Sequence, residues 1–334
     1  MRTFVFGAGA SVHAGYPLAS ALWPALQQWQ QGQTFDPLDY CYGAVDSMNE
    51  ALDPSLPFEL ALTELDKRIQ SPRDITEKAC LPVLRGQIQQ LVCRFFDSIR
   101  PHDATLYEFF ARKVLTPDDT VITFNYDLSL DRELQKSGKW SALDGYGFSL
   151  DRSLQKRSAC RLLKLHGSTN WIAQIFDGLV RGFAMGLPNK SLGCRPVIPT
   201  HDLEYLGANF VDTQFRGSGG FLPSLIMPAA EKKFYMQTSL NPREWEGFWN
   251  SLWSQAEESV AAADEVHIIG YSLPDYDERA GKLLRGARRG SEISICCRSD
   301  TARLVETFRK AGFTNTRSGD DGSFEGWLKA SAKL

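Results

Sequence analysis

Four short apolar runs divide the chain and predict buried β-strands. Each run is rich in β-branched or aromatic residues and lacks the alternation of a half-exposed strand. The runs are Thr3–Phe6, Val121–Phe124, Val266–Ile269 and Ile293–Cys296, with a fifth candidate at Leu162–Leu165. Continuous apolar strands are typical of parallel sheets that are covered on both faces.

Helical periodicity occupies the intervals between these runs. Apolar residues recur at helical spacing over Glu59–Ile69, Leu81–Phe96 and Trp245–Ala263. The last segment carries a stripe made of Trp245, Phe248, Trp249, Leu252 and Trp253, and it ends just before a strand, as a crossover helix does. The alternation predicts an α/β fold, with a Rossmann-like parallel sheet and helices on both faces.

Two segments depart from this alternation. Residues 18–119 have the pattern of helices and loops, which indicates a helical insertion. Residues 171–244 are rich in glycine and proline, which favours a loop or lid region facing a substrate. Internal repeats and low-complexity tracts are absent from the sequence, so we expect residues 1–334 to form a single domain that carries these two additions.

Composition and charge limit the kinds of partner that the chain is expected to bind. The chain has 334 residues, of which 43% are hydrophobic, and a formal net charge of -3. Such a chain can bury a sizeable core, and its charge argues against direct nucleic-acid binding or an anionic membrane surface as the main partner. The first apolar run is too short for a signal peptide or a membrane span, so we expect a cytoplasmic protein.

The cysteine pattern argues against metal binding. The seven cysteines are irregularly spaced and form no Cys-x-x-Cys pair. Zinc ribbons need such pairs, so the sequence predicts that the protein has no zinc ribbon and holds no metal. A disulfide framework is equally unexpected in a chain of this length and context. Buried, reduced thiols are the interpretation that remains.

A small-residue turn follows the first predicted strand. It consists of Gly7, Ala8, Gly9, Ala10 and Ser11. Small residues let backbone amides approach a phosphate, and the start of a helix adds a favourable dipole. However, the third glycine of the dinucleotide-binding fingerprint is missing, and no convincing acidic ribose ligand follows. A tight turn without a ligand explains these residues equally well.

The second strand ends in Thr123-Phe124-Asn125-Tyr126-Asp127. Ligands bind at the carboxyl ends of strands in open α/β sheets. Asn125 can hold a ribose hydroxyl or a water molecule there. The alternative is that Asn125 and Asp127 cap the following helix.

Two further strand ends carry candidate chemistry. His166 is followed by Gly167, and a histidine at such a position can act as a base near neutral pH. The segment Gly270–Ser272 can contact the adenosine or ribose side of a nucleotide, although Ser272 or Asp275 can equally cap a helix. A structural role is the alternative for His166. It is the interpretation adopted for the other histidines, His13, His102, His201 and His267.

The order of these four motifs resembles the sirtuin superfamily. There, a Gly-Ala-Gly-x-Ser turn, a Thr-x-Asn-x-Asp motif, a His-Gly motif and a Gly-x-Ser motif follow one another. The resemblance spans roughly residues 3–300. It looks closest to a bacterial sirtuin-like branch with Asn-Tyr-Asp, Leu-His-Gly-Ser and Gly-Tyr-Ser-Leu. Proteins of that branch often serve in antiphage defence by destroying NAD.

The resemblance implies NAD as substrate and an NAD+ glycohydrolase that releases nicotinamide and ADP-ribose. It assigns catalysis to Asn125, His166 and Asp127. It assigns nucleotide binding to Gly7, Ala8, Gly9, Ala10, Ser11, Thr123, Gly270 and Ser272. It also implies a regulated enzyme whose partner is a second copy of the chain or another protein of a defence system.

Two departures from the family argue against protein deacylation. Deacylating sirtuins carry four zinc-binding cysteines after the His-Gly motif, whereas only Cys194 lies between His166 and Val266. They also continue the first loop with Pro-Asp-Phe-Arg, whereas Pro17 is followed here by Leu-Ala-Ser. A deacylase, an ADP-ribosyltransferase and a non-catalytic sensor of NAD or an ADP-ribose derivative remain as alternatives.

Overall fold

The computed structural model describes residues 1–37, 39–53, 55–100, 105–148, 158–174, 221–229, 242–274, 276–298, 300–318 and 322–331. The strands are β1 (Arg2–Phe6), β2 (Thr120–Thr123), β3 (Arg161–Lys164), β4 (Gly167–Gln174), β5 (Phe221–Leu225), β6 (Glu265–Ile269), β7 (Glu292–Cys296) and β8 (Thr316–Ser318). The helices are α1 (Ala19–Gln31), α2 (Ala44–Ala51), α3 (Phe58–Gln70), α4 (Ile75–Ser98), α5 (Thr105–Phe109), α6 (Ser129–Lys136), α7 (Pro242–Ala262), α8 (Glu278–Arg285), α9 (Thr301–Lys310) and α10 (Phe324–Ser331).

Six strands form one parallel sheet in the order β3-β2-β1-β6-β7-β8. The predicted Rossmann-like α/β fold is therefore confirmed, and all five predicted strands lie within one residue of their expected positions. The chain order reverses between β1 and β6, which makes that junction the topological switch point. Open α/β sheets bind their ligands at the carboxyl ends of the strands beside this point.

Side chains of β1 contact helices on both faces of the sheet. The Thr3 hydroxyl donates to the Ser259 carbonyl of α7 at 3.1 Å. On the opposite face, the ring centroid of Phe4 lies 5.9 Å from that of Trp327 in α10. Alternate residues of a strand point to opposite faces, so a run that is mostly apolar on both faces produces a strand that is buried on both sides.

The chain divides into two compact units. The first contains Met1–Leu18, Arg100–His166 and Asn250–Leu334 and holds the parallel sheet. The second contains Ala19–Ile99 and Gly167–Trp249. Residues 100–119 of the predicted helical insertion thus belong to the first unit. There, Tyr107 and Phe110 pack against Phe6 of β1.

The second unit has its own core around α4. Asp74 caps this helix by accepting from the Glu77 amide at 2.8 Å. Gln89 donates to the Leu225 carbonyl at 3.0 Å, which joins α4 to the antiparallel pair β4 and β5. Most of the predicted loop or lid at 171–244 lies outside the described residues. In the part of the chain that is described, no helix is long and apolar enough to cross a membrane.

Candidate functional site

Two glycine turns interlock at the carboxyl ends of β1 and β6. The Gly7 amide donates to the Ile269 carbonyl at 3.0 Å, and the Gly9 amide donates to the Gly270 carbonyl at 2.9 Å. A Cβ on Gly7 would lie 2.6 Å from the Gly270 oxygen, and one on Gly270 would lie 2.2 Å from the Ala10 nitrogen. Only glycine fits these close approaches, so the two motifs share one structural requirement at the switch point.

Most amides of the predicted phosphate loop already have partners inside the fold. Besides Gly7 and Gly9, Ala10 donates to the Gly7 carbonyl at 2.9 Å and Ser11 donates to the Ala8 carbonyl at 3.1 Å. The Ala8 amide is not one of these donors. Among the amides of this loop, the Ala8 amide is therefore the donor that remains for the predicted contact with a pyrophosphate. The small side chains of its neighbours would leave room for that group.

Gly270→Ala tests the interlock. Gly270 has φ +64°, and its added Cβ would clash with the backbone of the β1 turn. We expect the free energy of unfolding to fall by about 2–4 kcal/mol, from the left-handed backbone and the clash together. Gly138→Ala is the matched control, because Gly138 has φ +73° with nothing within 4 Å of the added Cβ. We expect this control to lose about 1 kcal/mol in urea denaturation. Equal losses in the two variants would contradict the interlock.

The Asn125 side chain ties the end of β2 to the β1 turn. Its Nδ2 donates to the Gly7 carbonyl at 2.9 Å and to Ser11 Oγ at 3.0 Å. The Gly7 carbonyl only accepts, so it fixes the orientation of the amide group. Both Nδ2 hydrogens are thereby used. Oδ1 is left as the atom with which this half-buried side chain accepts from a hydroxyl or a water molecule.

Ser11 is the centre of this network. Its hydroxyl donates to Asp127 Oδ2 at 2.7 Å while it accepts from Asn125. Because that hydroxyl has one hydrogen, Tyr107 must be the donor in its 2.8 Å contact with Ser11. Burial, followed by the nearby Asp127, raises the pKa of Tyr107 well above its ordinary value, which keeps it a donor. Ser11 is 1% exposed, so its hydroxyl positions other side chains.

Asp127 uses its two carboxylate oxygens for different purposes. Oδ2 accepts from Ser11, and Oδ1 accepts from the Ser129 amide at 3.0 Å where α6 begins. The first contact orients Ser11, and the second satisfies an amide at the start of α6, whose N-cap residue is Leu128. Asp127 is buried, so its role in the site acts through Ser11.

A buried ion pair holds the end of β3. Lys164 Nζ donates to the Asp127 carbonyl at 2.6 Å and contacts both oxygens of Asp131 at 3.2 and 3.1 Å. The Tyr146 hydroxyl donates to Asp131 Oδ1 at 2.6 Å. Burial raises the pKa of Asp131, and the positive charge of Lys164 opposes that rise. The pair fastens the strand that leads into His166.

His166 and Asn125 lie at the same edge of the sheet. Thr123 and Lys164 are register partners in the parallel pair of β2 and β3. Asn125 lies two residues after Thr123, and His166 lies two residues after Lys164. The His166 ring meets the edge of Phe124, with 4.9 Å between ring centroids. The two strands thus deliver an amide and an imidazole to adjacent strand ends.

Asp277 contacts His166, although no sequence motif indicated it. Its Oδ2 lies 3.5 Å from His166 Nε2 and accepts from the Tyr271 hydroxyl at 2.7 Å. Its Oδ1 caps α8 by accepting from the Ala280 amide at 3.4 Å. The Tyr271 ring stacks on Phe124 at 4.2 Å. The sequence signal was an aspartate at a helix start, which by itself indicates only a cap.

The remaining predicted residues differ in their surroundings. Thr123 is buried, and its hydroxyl accepts from the Asn125 amide at 3.0 Å. Ser272 is exposed, and its carbonyl accepts from Arg303. Its predicted nucleotide contact stays a prediction. His267 stacks on Phe4 at 5.0 Å, as a structural histidine does. His102 and His201 lie outside the described residues.

In the described ranges, no group of three or more histidine, cysteine, aspartate or glutamate side chains is arranged to hold a metal ion. None of the six cysteines within those ranges is part of a disulfide, and Cys194 lies outside them.

Solved structures similar to this chain include Sir2 proteins. One is a Sir2 enzyme studied for mechanism and regulation, with 13% identity and a TM-score of 0.42 over 99% of this chain and 92% of that one. Another is a Sir2 homologue in complex with NAD, at 12% and 0.40 over 99% and 89%. A third is a mutant Sir2 homologue with 2'-O-acetyl ADP ribose, at 12% and 0.44 over 99% and 92%.

These identities and scores are too low to assign the chain to a family. No family model matches the chain, and no curated protein matches it. The fold is therefore established by the strand order and register of the sheet.

Proposed function

We propose that this protein is an NAD+ glycohydrolase that cleaves NAD to nicotinamide and ADP-ribose. The observation that carries the proposal is that the Asn125 amide and the His166 imidazole lie at adjacent strand ends, next to the β1 turn. These are the positions at which the four sequence motifs predicted a nucleotide and its reacting bond. The site lies where open α/β sheets bind their ligands.

The reaction suits a site without a pair of catalytic carboxylates. Nicotinamide in NAD is a pyridinium, so it leaves with the electron pair of the bond between its nitrogen and the ribose carbon. It then departs as a neutral molecule without needing a proton. Water adds its oxygen to the ribose carbon and gives up one proton. The site must hold the ribose, stabilise the oxocarbenium-like transition state and place the water.

The described contacts suggest a role for each residue. Asn125 Oδ1 accepts from the attacking water or a ribose hydroxyl, since its Nδ2 is held by Gly7 and Ser11. His166 acts as base or binds the ribose. Asp127 orients Ser11, and through it Asn125. The Ala8 amide and the small residues around it receive the pyrophosphate.

A time course with NAD tests this function. We expect the purified protein to release nicotinamide and ADP-ribose in equal amounts, without any added acceptor. Acceptor-dependent release would contradict hydrolysis and favour a deacylase or an ADP-ribosyltransferase. NAD binding without turnover would favour a sensor.

Elemental analysis is an independent measurement on the same protein. The absence of any Cys-x-x-Cys pair from the sequence predicts that the folded protein carries no stoichiometric zinc. Stoichiometric zinc in the purified protein would contradict this prediction. It would also bring back the deacylase as the leading alternative.

The proposal extends to a regulated effector in bacterial antiphage defence. NAD is shared by all of central metabolism, so an ungated enzyme would poison the cell that makes it. Activity must then depend on assembly, a partner protein or a small-molecule trigger. Cellular NAD, measured with and without phage in cells that express the wild type or His166→Ala, tests this. Strong basal loss of NAD in healthy, growing cells would refute the gating.

A further inference from the structure

His166 meets a carboxylate through one particular ring nitrogen. Its Nε2 lies 3.5 Å from Asp277 Oδ2, and both side chains are at least nine-tenths buried. That distance is long for a hydrogen bond, but catalytic pairs often tighten only when substrate binds. A buried carboxylate without a proton only accepts, so this contact favours the tautomer with hydrogen on Nε2.

Asp277 is itself fixed from two sides. The Tyr271 hydroxyl donates to Oδ2 at 2.7 Å, and the Ala280 amide donates to Oδ1 at 3.4 Å. The Tyr271 ring stacks on Phe124, and Phe124 in turn meets the His166 ring. Phe124 therefore contacts both the imidazole and the tyrosine that donates to the carboxylate.

We infer that Asp277 is the positioning residue of His166. It holds the imidazole with hydrogen on Nε2 and thereby makes Nδ1 the nitrogen that accepts a proton. The inference rests on the proposed function for its catalytic consequence, because Nδ1 would then receive the proton of the attacking water or a ribose hydroxyl. The choice of tautomer itself rests on the contact between His166 Nε2 and Asp277 Oδ2 and does not depend on the proposed function.

Histidine NMR reads the tautomer directly. The chain has five histidines, so a sample labelled with ¹⁵N-histidine gives five sets of ring signals. The set that is missing from His166→Gln belongs to His166. At about pH 9, where ordinary imidazoles are neutral, we expect a protonated Nε2 and an unprotonated Nδ1 in the wild type. A wild-type His166 with hydrogen on Nδ1 overturns the inference without any variant.

Asp277→Ser is the variant that separates positioning from folding. Serine is a good N-cap, so α8 keeps its cap while the contact with His166 is lost. We expect a mixture of His166 tautomers and a kcat for NAD cleavage at least about 10-fold lower, with little change in KM. Asp74→Ser makes the same exchange at the N-cap of α4 and should change neither.

The two readouts distinguish two failures. If the wild type cleaves no NAD, the proposed function fails, while the tautomer of His166 still decides the role of Asp277. If the tautomer and kcat of Asp277→Ser match those of the wild type, the positioning role is refuted even though the protein cleaves NAD.

Discussion

Asn125→Ala and His166→Ala are each expected to slow NAD cleavage by about 100-fold or more, which is the typical cost of losing one catalytic group. Asn125 provides the acceptor at the end of β2, and its Nδ2 holds the turn after β1. Alanine removes both. His166→Ala removes the proposed base and leaves Asp277 without its imidazole. Initial rates of nicotinamide release measure the effect.

Asn49→Ala is the matched control for the asparagine. Asn49 is also half-buried, and its Oδ1 accepts a long 3.4 Å bond from Gln27. We expect the control to retain the wild-type rate, and circular dichroism should give the same spectrum for all variants. Near-normal turnover in both Asn125→Ala and His166→Ala would place the chemistry elsewhere in the molecule.

Lys164→Met is expected to lower the free energy of unfolding by about 3–5 kcal/mol, because it leaves the Asp131 carboxylate buried without its cation. Lys164 is 0% exposed and Asp131 1%. The double variant Lys164→Met with Asp131→Asn removes the charge as well, and the amide oxygen can still accept from Tyr146. It should therefore be more stable than Lys164→Met alone. Urea denaturation followed by tryptophan fluorescence measures both.

The loss in Lys164→Met should depend on pH in a definite direction. Burial raises the pKa of Asp131, and removing Lys164 takes away the charge that opposes this rise. The folded state then binds more protons than the unfolded state, so stability falls as pH rises. The deficit should be smallest at and below the ordinary pKa of an aspartate and should grow as the pH rises above it. A deficit that does not change with pH would mean that Asp131 is not the affected group.

The sequence was sufficient to predict five of the six strands of the sheet, because each of these five contains a short run that is mostly apolar and is buried on both faces. Val121–Phe124 and the strand observed at Thr120–Thr123 differ by one residue. The exposed β8 strand escaped detection, since Thr316–Ser318 is short and polar. The helical segment 18–119 was expected as one insertion, and its described residues 105–119 belong to the compact unit that holds the sheet.

The candidate site was only partly predictable. Asn125 and His166 could be found because both end a recognisable strand. Tyr107 and Asp277 could not be found in the same way, since they reach the site through contacts between residues that are distant in sequence. Tyr107 meets Ser11 from 96 positions away, and Asp277 lies 111 positions after His166 (277 − 166). A motif scan also cannot tell that the Ser11 hydroxyl is used up within the protein.

The position of β1 in the sheet has a consequence for the synthesis of this protein. One edge of β1 pairs with β6, with Arg2 opposite Glu265. This pairing cannot form until the ribosome has added Glu265, which comes 263 residues after Arg2 (265 − 2). At about 5–20 residues per second, translation takes roughly 13–50 seconds to cover that distance. Throughout that time one edge of the strand Phe4-Val5-Phe6 has no partner in the nascent chain, and such an edge is a template for association with other chains. Slower growth at low temperature and abundant chaperones should therefore raise the yield of folded protein, and crowded polysomes should lower it.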